Sequence, residues 1–278
     1  MLKNLFKKTK KYVAIDVGGT NIRGALIDEN GKILSEIEHF KTEKTKELLL
    51  TQILIIIKQH TQKTNEAKIA IPGIIKEQKI VEIPNLNIKN WDLNKELDRH
   101  GIKTTIMNDL EAAWKAEEAD TVIYVGTGIG SATNGKNTEL GRTTKINLST
   151  GKIKCYDTKF LNKIKLEKNE YLLEDMVSGK GISKTNKKHE LYAKELAEKA
   201  KIQEKAQREL EEAGEYLGES LIEYDKKQKQ PHKYVIGGTL GKNEHYFKGI
   251  QNKFPNIEKS KYNTSETIMK GLTKLPTS

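Results

Sequence analysis

Two stretches of the chain spell one pattern. Residues 12–31 run from an apolar strand (Tyr12 to Val17) through a Gly18-Gly19 corner and a second strand (Ile22 to Asp28) to an Asn30-Gly31 turn. Residues 121–135 repeat the order with Val122 to Val125, the glycine-rich corner Gly126 to Gly130, Ser131 to Thr133 and Asn134-Gly135. Asn-Gly between such strands marks a tight hairpin, because the favoured two-residue turn needs positive φ at both central positions. A chain that opens two segments with hairpins and continues each with helices is an α/β chain of two related units. The cleft between such units is a natural place for a ligand.

The other segments fill in around these hairpins. The periodicity predicts a strand over Ile33 to Phe40, an amphipathic helix over 43–60 and a strand at Lys68 to Ile71 that stops at Pro72-Gly73. A strand at Lys103 to Met107 leads into a helix beginning near Asp109. One helix is expected within Asn169 to Ile182, and a Lys/Glu-rich helical stretch from Lys188 to about Asp225, with Leu191 on its apolar side and Gly214 and Gly218 as candidate breaks. Strand Tyr234 to Ile236 enters Gly237-Gly238, and Ser265 to Leu275 reads as a final helix.

Composition removes several function classes. With 278 residues the chain has room for one large or two modest domains. The longest apolar stretch, Leu48 to Ile57, is broken by Thr51 and Gln52 and is far short of the ~20 residues that span a bilayer. The start, MLKNLFKKTKK, resembles the charged part of a signal peptide, but the apolar segment after it is short and contains Asp16. A cytoplasmic protein without a membrane partner is expected. Cys155 is the only cysteine and the six histidines are scattered, so no zinc site is expected either. The net charge of +11 invites a nucleic acid or another acidic surface. Lysines, however, read as spread along the chain and interleaved with Glu, and no recognition motif accompanies them, so nucleic acid is not an expected partner.

Three glycine corners follow apolar strands: Asp16-Val17-Gly18-Gly19-Thr20-Asn21, Gly126-Thr127-Gly128-Ile129-Gly130 and Gly237-Gly238-Thr239. Glycine lets the backbone approach a phosphate closely, and the free N–H groups with Thr hydroxyls satisfy its oxygens. Any one corner alone reads equally as a plain turn or a phosphate cradle; three in this order point to a nucleotide. Neither GxxxxGK[ST] nor GxGxxG before a helix occurs, and the corners are expected in hairpins rather than at helix starts. Asp109 follows a strand and opens a helix, where it reads either as a helix N-cap or as a carboxylate placed to accept the proton of an attacking hydroxyl.

The ordered series DVGGTNIRGALID, IPGI, NDLEAAWKAE, YVGTGIG, ELGR, LEDMVSGKGI and VIGGTLG, spanning 12 to about 241, resembles the motifs of the ROK (repressor, open reading frame, kinase) sugar kinases. The resemblance implies an α/β protein with the actin-like ATPase fold, two RNase H-like domains and ATP and sugar meeting in an interdomain cleft. The small domain would be residues 1–108 with the C-terminal helix 262–278, and the large domain 109–261. It implies that Asp16, Gly18, Gly19, Thr20, Asn21, Thr127 and Gly128 flank the ATP phosphates, with Asp16 near Mg²⁺, and that Gly237 and Gly238 lie by the adenosine. Asp109 would be the general base, and Gly73, Asn85, Asn108, Glu139, Arg142 and Glu174 would contact the sugar together with it. Counting back from Trp91 instead favours Asn87 over Asn85.

The implied function is ATP- and Mg²⁺-dependent phosphorylation of a hexose, glucokinase-like, giving a sugar 6-phosphate. The alternatives are a kinase for fructose, mannose, allose or an N-acetylamino sugar, and a non-catalytic ROK-type sugar sensor or regulator. The repressor form needs a helix-turn-helix domain ahead of the first motif, and only eleven residues precede Tyr12. A homodimer is compatible with the resemblance. Many members carry a Cys-rich zinc loop between the two glutamates and a His three residues after the first. Here that position is Arg142 and the loop keeps only Cys155, which weakens any transfer of glucose specificity.

Overall fold

The first hairpin forms where the alternation places it: β1 (Lys11–Val17) pairs antiparallel with β2 (Asn21–Asp28) in a register that sets Asp16 opposite Arg23. The computed structural model describes residues 9–186, 192–228 and 232–274. By contacts the chain divides into two units, one ending at Ala116 and resuming at Ser265, the other running Glu117–Thr264.

In the first unit β3 (Glu38–Lys41) adds to β2. The strand expected over Ile33 to Phe40 is therefore shorter, and Ile33 makes only a lone bridge to Ile27. The physical reason is Ser35, whose Oγ accepts the Leu26 N–H at 2.9 Å in place of a backbone carbonyl and interrupts the ladder. Helix α1 (Lys46–Lys58) starts at Thr45, which accepts the Leu48 N–H, and buries Leu49, Ile53, Ile56 and Ile57. These side chains pack with Ile15, Ile69 and Ile106 of neighbouring strands, all 0% exposed; each such burial is worth about 1.5–3 kcal/mol before chain entropy is subtracted.

Strand β4 (Glu66–Ile71) lies parallel to β1. A small antiparallel sheet follows, made of β5 (Ile74–Lys76), β6 (Lys79–Ile83) and β7 (Ile88–Trp91). Its first turn uses Glu77 and Gln78 at positive φ, so it lacks the Asn-Gly signature. Tertiary bonds stabilise that turn: the Gln78 side chain accepts the Ile106 N–H and its carbonyl accepts Asn94 Nδ2. Helix α2 (Leu93–Asp98), strand β8 (Lys103–Asn108) and helix α3 (Asp109–Glu117) complete this half, and the main sheet has the order β3-β2-β1-β4-β8.

The second unit repeats that sheet. Strands β9 (Thr121–Val125), β10 (Ile129–Thr133) and β11 (Lys136–Asn137) form its antiparallel side, with Asn134 and Gly135 both at positive φ in the turn. Then come α4 (Leu140–Thr143) and a second small sheet of β12 (Thr144–Asn147), β13 (Lys152–Cys155) and β14 (Glu170–Leu172). Two helices, α5 (Leu173–Val177) and α6 (Gly179–Thr185), stand where one was expected within Asn169 to Ile182. Ser178 separates them: it is extended and its hydroxyl accepts the Gly181 N–H, restarting the helix.

Helices α7 (Tyr192–Lys199) and α8 (Glu204–Asp225) follow, with Lys188 and Leu191 outside the described residues. The break falls at 200–203, and neither Gly214 nor Gly218 interrupts α8. Those glycines instead let another helix come close, since a Cβ on Gly214 would lie 2.1 Å from the Tyr246 carbonyl oxygen. Strand β15 (Tyr234–Gly237), helix α9 (Glu244–Lys253) and strand β16 (Ile257–Lys259) complete an order β11-β10-β9-β15-β16, with the same parallel and antiparallel senses as the first sheet. The duplication read in the sequence is thus present in topology. Helix α10 (Thr264–Thr273) returns to the first unit, and Leu275 lies outside the described residues.

In the β12–β14 sheet, Lys145 Nζ meets Glu170 Oε2 at 2.5 Å and the Lys165 carbonyl at 3.0 Å, while Glu170 also accepts the Glu167 N–H. Lys145 above all holds the Glu170 carboxyl below its ordinary value. A carboxylate depressed in the fold stabilises above its unfolded pKa and loses that contribution as pH falls through its folded one. Lys145→Met is expected to lower the melting temperature at pH 7, with Lys145→Arg retaining most of it. In thermal unfolding the gap between wild type and Lys145→Met should close as pH drops below the ordinary Glu range.

Candidate active site

In the first unit the chemistry gathers at the ends of β1 and β8. Asp16 is 3% exposed and its Oδ2 accepts from Arg23 Nη1 at 3.3 Å. Burial, helped by the negative charge of Asp109 and opposed by Arg23, pushes Asp16 up to about 7. Asp109 is half-buried at the start of α3, and burial pushes it up to about 6 against the pull of backbone N–H groups. The helix cap is Asn108, whose Oδ1 accepts the N–H groups of Leu110 (2.9 Å) and Glu111 (3.2 Å). Asp109 Oδ1 shares the Leu110 N–H, and no side-chain donor contacts this carboxylate among the described residues. Asn108 Nδ2 donates to the Gly73 carbonyl at 3.0 Å, so two candidate sugar contacts are tied together.

The first glycine corner is braced through its carbonyls. Gly18 O accepts from Thr42 Oγ1 (2.7 Å), Gly19 O from Lys44 Nζ (2.5 Å) and Thr20 O from the Thr42 N–H (2.9 Å). The Gly18 N–H bonds to the Asn21 carbonyl, leaving the N–H groups of Gly19 and Thr20 without a partner among the described residues. Thr20 and Asn21 are exposed. Such a row of free amides is a ready anion cradle. The Asn85 side chain lies beside this corner, 3.5 Å from where a Cβ on Gly19 would stand. Asn87 is a left-handed turn residue closing the single turn Pro84–Leu86. Asn85 is thus the asparagine against the corner.

In the second unit the other two corners meet at the end of β9. Val125 O accepts the N–H groups of Leu240 (3.0 Å) and Gly241 (3.2 Å). Gly238, at φ +84°, passes so close that a Cβ would lie 2.3 Å from that oxygen, and a Cβ on Gly237 would lie 2.5 Å from the Tyr124 ring. This third corner follows a parallel strand and leads toward α9, so the expectation that every corner lies in a hairpin is corrected for it. The middle corner is held from α6: the Gly179 N–H donates to Gly126 O (2.8 Å) and the Lys180 N–H to Thr127 O (2.9 Å), while Thr127 and Gly128 stay exposed.

Beside that corner Glu174 is half-buried in the first turn of α5, with Oε1 3.1 Å from a Cβ position on Gly128. Burial raises its pKa, with the Ile129 N–H and Arg142 opposing. Arg142 also faces Glu139, at 3.6 Å, and Asn137 Nδ2 donates to Glu139 Oε1 at 3.1 Å. Gly128, Glu139, Arg142 and Glu174 therefore form one polar group, rich in the acceptors that bridge vicinal hydroxyls.

Reading the sequence alone missed Arg23, Thr42, Lys44 and Tyr124. Arg23 had a signal, since a tight corner at Gly18-Gly19 places it across from Asp16. Thr42 and Lys44 had none, because they reach the corner from 24 and 25 residues away. For a divalent cation the donor set fits: two nearby carboxylates held above their usual range are what a cation relieves, though no group of three or more metal-ligating side chains occurs among the described residues. Cys155 is buried, with Thr144 Oγ1 donating to its Sγ at 3.3 Å.

The ROK family model matches residues 12–144. Solved structures with the same fold include a ROK family glucokinase from Streptomyces griseus in complex with glucose and AMPPNP, 17% identical, TM-score 0.70, over 94% of this chain and 98% of that one. A ROK hexokinase from Thermus thermophilus is 20% identical with TM-score 0.68, over 95% and 97%. A ROK family transcriptional regulator, a homologue of the E. coli MLC protein, is 16% identical with TM-score 0.64, over 95% of this chain and 77% of that one. No curated protein matches the chain by sequence. The fold is the actin-like ATPase fold. The family resemblance thus rests on residues 12–144, and the chain has the fold of solved ROK family structures.

Proposed function

We propose that this protein transfers the γ-phosphoryl group of ATP to a hexose, in the manner of a glucokinase, in the cytoplasm. The observation that carries the reading is the pair Asp16 and Asp109: a half-buried carboxylate with no side-chain donor among the described residues, raised to about 6, beside a buried acid that leads into a phosphate-type corner. Asp109 accepts the proton of the attacking sugar hydroxyl and orients its oxygen. The free amides of Gly19 and Thr20 hold phosphate oxygens, as do those at Thr127 and Gly128, while Gly237 and Gly238 give room for the nucleoside. Asn85, Asn108, Glu139, Arg142 and Glu174 bind sugar hydroxyls. When bound, Mg²⁺ neutralises phosphate charge, with Asp16 as the residue that would hold it through water.

The pKa of Asp109 gives this reading a pH signature. A base works ionised, so kcat/KM for the sugar is expected to fall about tenfold per unit below pH 6 and to level off above it, which a pH–rate profile checks. A coupled ADP-release assay across glucose, fructose, mannose, allose and N-acetylamino sugars tests the function itself. Sugar-dependent turnover with at least one of them is expected; turnover with none contradicts the proposal. Arg142, a cationic fork among the hydroxyl-binding acids, is the residue whose replacement should reorder the panel.

A further inference from the structure

The net charge of +11 is concentrated rather than spread. Residues 1–11 hold five lysines and no acid, and residues 142–168 hold Arg142 and seven lysines against Asp157 and Glu167 alone. The rest of the chain is balanced, so the interleaving of Lys with Glu holds only outside these two segments.

In the fold the second segment makes up most of the β12–β14 lobe. Lys152 and Lys154 stand two apart on β13, opposite Asn147 and Lys145, and so share the Lys145 face of the sheet. Lys145 Nζ bonds the Lys165 carbonyl and Glu170 bonds the Glu167 N–H, which lays the loop carrying Lys163, Lys165 and Lys168 along that face. All five outer lysines are exposed, and none has an ion-pair partner among the described residues. The same segment exposes Leu148 (41%), Phe160 (41%) and Leu166 (47%).

This combination selects among polyanions. Nucleic acid uses cations for phosphates and flat rings for bases, and would leave Leu148 and Leu166 in water. A lipid headgroup layer takes both parts: lysines meet acidic headgroups while Leu and Phe side chains enter the boundary below them. The first eleven residues show the same mixture, with Leu2, Leu5 and Phe6 among their lysines. No helix among the described residues is long and apolar enough to cross a membrane, so the contact is peripheral. We propose that the β12–β14 lobe docks the protein on an anionic bilayer surface.

The test is co-sedimentation of the full-length protein with phosphatidylcholine vesicles, with and without roughly one-third phosphatidylglycerol. Two variants accompany it: Lys152→Gln, Lys154→Gln, Lys163→Gln, Lys165→Gln and Lys168→Gln combined, and Leu148→Ser with Leu166→Ser. Expected is binding to the anionic vesicles alone, reversed by high salt. The charge variant should bind more than tenfold more weakly and the apolar variant several-fold more weakly, both with unchanged melting temperature. Equal binding to both vesicle types, wild-type binding by the charge variant, or preferential binding to single-stranded RNA or polyglutamate over the vesicles would overturn it.

Discussion

Replacing Asp109 with Asn is expected to lower kcat by ~10²–10⁴ while the protein still folds and binds sugar and nucleotide. The amide keeps an oxygen for the Leu110 N–H that Asp109 Oδ1 now accepts, and the helix start is capped independently by Asn108, so neither bond depends on the charge. What disappears is the group that, in the proposed reaction, receives the hydroxyl proton. Stability should not fall and should rise slightly near neutral pH. Because its folded pKa is raised to about 6, Asp109 binds a proton in the fold that the unfolded chain has already released between about pH 4 and 6. Ionising it in the fold therefore costs stability as pH rises through that window, and the amide removes the cost. Thermal unfolding at pH 7.5 with single-turnover kinetics checks both halves; a lower melting temperature with full activity would assign Asp109 to the helix cap instead.

Gly238→Ala is expected to have the second large effect, this time at the corner proposed to hold the nucleotide. A Cβ there would stand 2.3 Å from Val125 O, an oxygen already accepting two N–H groups, and φ of +84° is costly for any residue with a side chain. Strain and overpacking together come to about 2–5 kcal/mol, a large part of a domain's stability of roughly 5–15 kcal/mol. The corner has to move, and with it the end of β9 that leads into Gly126. The melting temperature should fall by several degrees and the KM for ATP should rise, with the sugar KM little changed. Equal increases in both KM values would show general loosening rather than a damaged nucleotide corner.

Much of this was legible in the residues because local rules carried it. The two hairpins, their glycine corners and the Asn134-Gly135 turn are short-range chemistry, and from them the paired sheets could be anticipated. The parts that escaped depend on distant neighbours. The turn at Glu77-Gln78 is stabilised by Ile106 and Asn94, and Ser178 splits a run whose periodicity suits one helix. Gly214 looks like a helix breaker until α9 is seen lying against it. The candidate site divides the same way. Asp16, Asp109 and the corners stand out by type and spacing. That Val125 joins the second corner to the third, or that Asn108 caps α3, appears only in three dimensions.

The most direct measurement is the identity of the product. Purified protein is incubated with ATP, Mg²⁺ and single hexoses, and ³¹P and ¹³C NMR locate the transferred group. The expected result is one hexose 6-phosphate formed in step with ADP by the wild type and lost in Asp109→Asn. Sugar phosphorylation that survives in Asp109→Asn, or ADP formed with no phosphorylated sugar, would contradict it.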